Sequence, residues 1–155
     1  MAFQAGRNNN RNQELVKHIA EGITVSFKPN SYVSEAEEVI KACKNELHFK
    51  VRRDEITYSQ LRKILAMTST IYDLANMGDV ETALEKVQYF KIQLIYTAGR
   101  NEAMREFIDA SRLVLICDLI GKYAERNKPV RKKLIRLCKY MEALVAYFKY
   151  YGGKD

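Results

Sequence analysis

Residues 128–155, KPVRKKLIRLCKYMEALVAYFKYYGGKD, carry the pattern that decides the fold. At roughly 100° per residue, Val130, Leu134, Leu137, Cys138, Met141, Leu144, Val145 and Phe148 fall on one side of a helix, and Lys132, Arg136 and Lys139 fall almost opposite. One face is built to pack and the other to meet water or negative charge. Tyr140, Tyr147 and Tyr151 are expected along the border, where an amphipathic ring buries its body and keeps its hydroxyl wet. No acidic residue lies between Lys128 and Met141, and uncompensated Lys and Arg on an exposed helix face are a common footprint of a polyanion site. The competing reading is a plain solvated face whose basic side chains snorkel over a core.

Upstream of this helix the same period recurs. Tyr32, Val33, Ala36, Val39, Ile40 and Cys43 predict a helix over about 31–47, with Ser34 and Glu37 as a capping box near its start. The linker HFKVRRDEI has no period and is expected as an exposed loop or short extended piece. Thr57 with Gln60 makes a second capping box, followed by Leu61, Ile64, Leu65, Thr68, Ile71, Tyr72 and Ala75 up to a stop at Gly78, which predicts a helix over 58–77. Asp79 caps a third helix whose stripe, Leu84, Val87, Lys91, Leu94 and Ala98, ends at Gly99. A fourth runs from about Glu102 to Ala124 through Met104, Phe107, Ile108, Leu115, Leu119 and Ile120. Asn127 to Pro129 opens the fifth, since proline suits a first helical turn. The expected fold is therefore all-α, a five-helix bundle over 31–155. Residues 1–30 are expected as a flexible arm: 1–13 are polar and asparagine-rich, and 14–30 hold apolar positions without a sustained period, interrupted by Pro29. That second part of the arm reads as a segment docking on the body or on a partner.

At 155 residues the chain is one domain's worth and long enough to bury a core without metal or disulfide. A hydrophobic fraction of 47%, two prolines and seven glycines fit a globular body of long elements. The net charge of +7 favours anionic partners and argues against an acidic calcium-binding surface. Cys43, Cys117 and Cys138 lack the paired spacing of zinc or redox motifs and read as buried thiols of a reducing compartment. No signal core and no membrane-length apolar run is present, so a cytoplasmic location without membrane contact is expected.

Enzyme signatures are mostly absent. There is no Gly-rich phosphate loop, GxSxG elbow or HExxH, and His18 and His48 lack partners at catalytic spacing. The expectation is a non-catalytic chain without cofactor or metal. Lys91, in the middle of an apolar seam, is the most pointed single residue, because a buried ammonium is costly unless paired or able to reach water. Either it pairs with a carboxylate such as Glu102 or Glu142, or the seam opens onto a groove where it meets phosphate. Lys50, Arg52 and Arg53, with Arg62 and Lys63, could form one basic patch, and Arg100 is expected at a corner between helices.

Three segments, TYSQLRKIL (57–65), YFKIQLIYTAGRNEAMREFI (89–108) and LCKYMEALVAYFKYYGGKD (137–155), together resemble the small subunit of type III-A CRISPR effector complexes, the Csm complexes. The resemblance extends weakly through 31–56. It implies a non-catalytic helical bundle stacking in several copies as a minor filament along the duplex of guide RNA and target RNA. Its neighbours there are the backbone subunits and, at one end, the large polymerase-like subunit. Within the matching motifs the basic positions are Arg62, Lys91 and Arg100, with Lys139 in the terminal motif. Lys50, Arg52, Arg53, Lys63, Lys132 and Arg136 rest on charge and position. Such a subunit needs only phosphate and sugar contacts, because guide pairing reads the sequence. The alternative is a helical protein-interaction adaptor without direct nucleic-acid contact.

Overall fold

In a computed structural model that describes residues 18–155, the stretch that decides the fold is one helix, Arg131–Tyr150. All eight residues of its expected stripe, Val130 through Phe148, are buried. Burying side chains of this size contributes about 1.5–3 kcal/mol each, so this helix is the spine of the core. Five α-helices precede it among the described residues: α1 (Tyr32–Leu47), α2 (Tyr58–Met77), α3 (Val80–Arg100), α4 (Glu102–Ser111) and α5 (Leu113–Glu125), making the last helix α6. Between α1 and α2 the HFKVRRDEI linker folds into a minimal antiparallel hairpin, β1 (Lys50–Val51) and β2 (Asp54–Glu55), with Lys50 opposite Glu55.

The caps explain where the helices begin. Thr57 and Gln60 form the full capping box expected of them, and Gly78 takes the left-handed conformation (φ 87°) that ends α2 just before Asp79 caps α3. The Ser34–Glu37 box does not form. Instead the Glu35 carboxylate accepts the Ser26 and Phe27 amides and the Ser31 hydroxyl, so the start of α1 is tied to the preceding segment. Gly99 does not stop α3. The helix continues to Arg100, and Asn101 separates it from α4 by accepting the Met104 amide on its side chain. Pro129 lies before the first turn of α6 rather than in it, with Val130 at the cap.

The bundle has six α-helices rather than five because the expected 102–124 helix is broken at Arg112, a left-handed residue (φ 61°, ψ 24°). The break resets the helical phase. Leu113, Ile116, Cys117 and Ile120 face the core, while Leu115 and Leu119, which continue the period of Met104 and Phe107, face outward.

Residues 18–30 lie along the body as a strap. Ile19, in a 3-10 turn (Ile19–Gly22), is 2% exposed. The Arg112 guanidinium donates to the Ala20 and Ile23 carbonyls at 2.8 and 3.1 Å, and Arg136 donates to the Phe27 carbonyl at 3.1 Å. Phe27 also meets Tyr140 edge to face at 5.8 Å. Tyr140 is therefore fully buried rather than at the border, and its hydroxyl donates to the Ser111 carbonyl at 2.7 Å. Residues 1–17, where the polar part of the expected arm falls, lie outside the described residues.

Candidate nucleic-acid interface

The expected site residues divide by whether the fold gives each base an internal partner. At the hairpin, Lys50 pairs with Glu55 at 2.8 Å and Arg52 with Glu102 at 3.2 Å. The Lys50 hydrogen bond holds the Glu55 carboxyl below its ordinary range. Arg53, at the tip, is exposed and has no partner among the described residues. The hairpin is fastened to the corner between α3 and α4, where Asn101 donates to the Glu55 carbonyl and the Glu102 amide donates to Asp54. This brings the linker bases to the end of the molecule that carries Arg100. Asp54, Glu55 and Glu102 stand among them, so the expected single basic patch is interrupted by carboxylates.

On α2, adjacent positions turn by about 100°, and the two bases there part company. Lys63 faces α3, where it lines a groove of about 460 Å³ together with Gln60, Gln93, Tyr96, Thr97, Arg100 and Asn101. No carboxylate lines this groove. Arg100 lies over the Tyr96 ring, 5.4 Å from its centroid, and its guanidinium donates to the Tyr96 hydroxyl at 3.1 Å. The ring positions the planar fork without neutralising it. Arg62 is exposed and unpaired outside the groove.

Lys91 is half-buried in the seam between α3 and α5 and pairs with Asp118 at 2.5 Å. Its partner is thus neither Glu102 nor Glu142. The α3 seam itself centres on Ala83, Val87, Phe90 and Leu94, with Lys91 at its edge. On α6, Lys132 is exposed and unpaired, Lys139 lies over the Tyr72 ring at 5.7 Å, and Arg136 is engaged by the strap. His18 is not partnerless: its Nδ1 lies 2.7 Å from the buried Glu106 carboxylate, which also accepts the Ile19 amide. That contact fastens the start of the strap.

Gln60, Gln93, Thr97 and Asn101 were not singled out as site residues in the sequence, because uncharged polar positions on helices carry no distinctive signal. Their spacing from Lys63 and Arg100 across the α2–α3 hairpin could have pointed to them. The groove offers two cations, the side-chain amides of Gln60 and Gln93 and one ring, a set suited to phosphate and ribose oxygens; the Thr97 hydroxyl donates to the Gln93 carbonyl and the Asn101 amide is engaged by Glu55 and Met104. Among the described residues no cluster of His, Cys, Asp and Glu could hold a metal ion, and no helix is long and apolar enough to cross a membrane.

A small helical bundle with a carboxylate-free cationic groove is the class that fold and site define. Comparison of the sequence with known proteins gives the family: a family model described as Csm2 Type III-A matches residues 28–154. The chain belongs to the Csm2 type III-A family. It is 38% identical over 100 residues to the CRISPR system Cms protein Csm2 of Streptococcus thermophilus, covering 64% of this chain and 76% of the relative. It is 34% identical over 135 residues to the protein of the same description from Mycobacterium tuberculosis (strain CDC 1551 / Oshkosh), covering 84% of this chain and 99% of the relative.

Proposed function

We propose that this chain is a non-catalytic structural subunit of a type III-A CRISPR ribonucleoprotein in the cytoplasm. In this reading several copies stack beside the backbone and large subunits, along the duplex of guide RNA and target RNA, and hold it through phosphate contacts independent of sequence. Family membership supports the place in the complex. The observation that carries the RNA contact is the α2–α3 groove, where Lys63 and Arg100 converge without a carboxylate among the lining residues. Arg53, Arg62, Lys132 and Lys139 are the remaining candidates, exposed and free of ion pairs. Lys50, Arg52 and Lys91 would have to leave Glu55, Glu102 and Asp118 first, and Arg136 would have to release the strap.

The test is target-RNA binding by the reconstituted complex carrying wild-type subunit or Lys63→Ala/Arg100→Ala, after assembly of both complexes has been confirmed. A loss of affinity with a shallower dependence on salt is expected, since each phosphate contact removed takes about 0.7–0.9 from the slope. Unchanged affinity and slope would leave an assembly spacer, as in the adaptor reading.

A further inference from the structure

The tyrosine-rich end of α6 takes no part in the α2–α3 groove and shares no lining residue with it. Tyr147 and Tyr151 are four positions apart, so they fall on one side of the chain, and the Tyr151 hydroxyl donates to the Glu37 carboxylate on α1 at 3.0 Å. Their rings lie 6.2 Å apart and nearly parallel, while Tyr150 meets Tyr151 edge to face at 5.1 Å. With Glu37 and Ala146, the three rings line a notch of about 470 Å³, open at the surface. Tyr150 is 78% exposed. A large ring standing in water at the mouth of a notch is area that a ligand can still bury.

Charge and ring geometry select the ligand. The lining holds one carboxylate and no cation. Lys41 lies 3.6 Å from Glu37 and 3.9 Å from Glu38, so a single ammonium is shared between two carboxylates. The charge of Glu37 is felt by both neighbours: it holds the Lys41 ammonium above the ordinary lysine range, and burial together with Glu37 raises the Tyr151 hydroxyl above the ordinary phenol range. The Lys44 ammonium, outside the lining, already lies over the Tyr151 ring at 5.4 Å. A nucleobase fits less well. Two rings 6.2 Å apart leave no room for a third between them, which takes about 7 Å, twice a van der Waals contact. Its phosphate would also meet Glu37 rather than a lining cation. A guanidinium suits what is there, since its plane lies on a tyrosine ring and its fork reaches a carboxylate. Because the notch is open on one side, the guanidinium would arrive on a side chain carried by another surface. Lys41 and Lys44 stand just outside, where they would meet acidic residues flanking it.

We propose that the notch of Tyr147, Tyr150, Tyr151 and Glu37 receives an arginine side chain of a partner protein, flanked on that partner by acidic residues. The long-range repulsion that a chain of +7 exerts on basic proteins acts in the same direction, favouring an arginine set in a neutral or acidic surface. The inference does not rest on the RNA reading.

The experiment follows the tyrosine ring signals of the full chain by two-dimensional proton–carbon NMR as the peptide acetyl-Glu-Arg-Glu-amide is added. The same peptide with citrulline in place of arginine, and cytidine monophosphate, are titrated alongside. The arginine peptide is expected to move the Tyr147, Tyr150 and Tyr151 signals to saturation in the millimolar range, and the citrulline peptide, neutral at that side chain and of the same shape, to leave them unsaturated. Tyr150→Leu and Glu37→Gln should each weaken the arginine peptide by about two- to fivefold, the worth of one cation–π or one exposed ion-pair contact. Should Glu37→Gln lose helix content, Tyr150→Leu decides, because that ring is exposed. Signals that do not saturate with the arginine peptide overturn the proposal, as do equal effects of the arginine and citrulline peptides or folded variants that bind like wild type. Tighter binding of cytidine monophosphate at these rings also overturns it and makes the notch a nucleobase site. None of these results bears on RNA binding through Lys63 and Arg100.

Discussion

Tyr140 and Ser111 form a buried polar pair whose loss can be measured singly. The Tyr140 hydroxyl donates to the Ser111 carbonyl at 2.7 Å with both residues fully buried, and deleting it leaves that carbonyl unpaired in the core. Tyr140→Phe should therefore cost about 1–3 kcal/mol, read as a lower urea midpoint at unchanged slope. Tyr147→Phe, whose hydroxyl makes no hydrogen bond among the described residues, should stay within about 0.5 kcal/mol of wild type. The period alone could not separate the two tyrosines, because what buries Tyr140 is Phe27, brought from 113 positions away. The burial of all three thiols was legible from their number and spacing, which fit neither zinc nor redox motifs; Cys43 and Cys138 also fall on expected stripes, whereas Cys117 does not, because the stripe of 102–124 is read in the wrong phase beyond Arg112. Burial pushes Cys43, Cys117 and Cys138 up from 9.0 to about 12. In the unfolded chain these thiols ionise from about pH 9, while in the folded chain they hold their protons. Between about pH 9 and 12 the unfolded state therefore binds fewer protons, and stability must fall as pH rises. Each thiol should remove up to about 1.4 kcal/mol per pH unit in that window. Denaturation midpoints across pH 8 to 11 (about one unit below to two above the free thiol) check this, and a flat profile would show that the thiols are accessible in the native state.

At the scale of the element, Arg112 does two jobs that neither periodicity nor composition announces. Its left-handed backbone separates α4 from α5, and its guanidinium holds the strap by two carbonyls. A break at a residue other than Gly or Pro leaves no mark in the sequence, so 102–124 reads as one helix and its outward leucines read as core. Capping motifs fared better where side chain and backbone agreed, as at Thr57–Gln60 and at Gly78–Asp79. At Gly99 two signals competed: glycine marks a stop, but Asn101 caps the next helix and sets the boundary two residues later. Arg112→Gly separates the two jobs, because glycine accepts φ 61° without strain while the side chain that holds the strap, and that also donates to the Asp109 carbonyl, is removed. The expected outcome is unchanged helix content with faster hydrogen exchange and proteolysis in 19–27; unaltered protection there would assign the strap to its other fastenings, the burial of Ile19 and Phe27 and the bonds to Glu106, Glu35 and Arg136. Gly153 guards the other end. A Cβ on it would lie 2.3 Å from the Phe148 ring, next to the Lys154 carbonyl that accepts the Tyr58 amide. Gly153→Ala should lower the melting temperature by several degrees, as expected for about 1–3 kcal/mol of overpacking.

Across the whole molecule, what decides which of the basic residues are free for an anionic partner, RNA in the proposed function, is the pairing of charge, and a linear sequence conceals it. The +7 total and the bases of the motifs were legible. That Lys50 answers Glu55, Arg52 answers Glu102 and Lys91 answers Asp118 is a product of the tertiary fold. A base already held by a carboxylate gains little from a phosphate, because it gives up one partner for another and strands an anion close to the RNA. Lys63 and Arg100 carry no such debt, and the groove brings them together. Two double variants of equal charge change therefore ought to differ. In the reconstituted complex, Lys63→Ala/Arg100→Ala should flatten the plot of log affinity for target RNA against log salt by about 1.4–1.8 for each copy that touches the duplex, two contacts' worth per copy. Lys50→Ala/Arg52→Ala should leave the slope within about half a contact per copy of wild type. Equal flattening by both would mean that RNA responds to the net charge of the subunit and that the groove has no special part in holding it. Equal indifference would take the RNA duplex off this subunit altogether and leave its bases to the neighbouring protein chains.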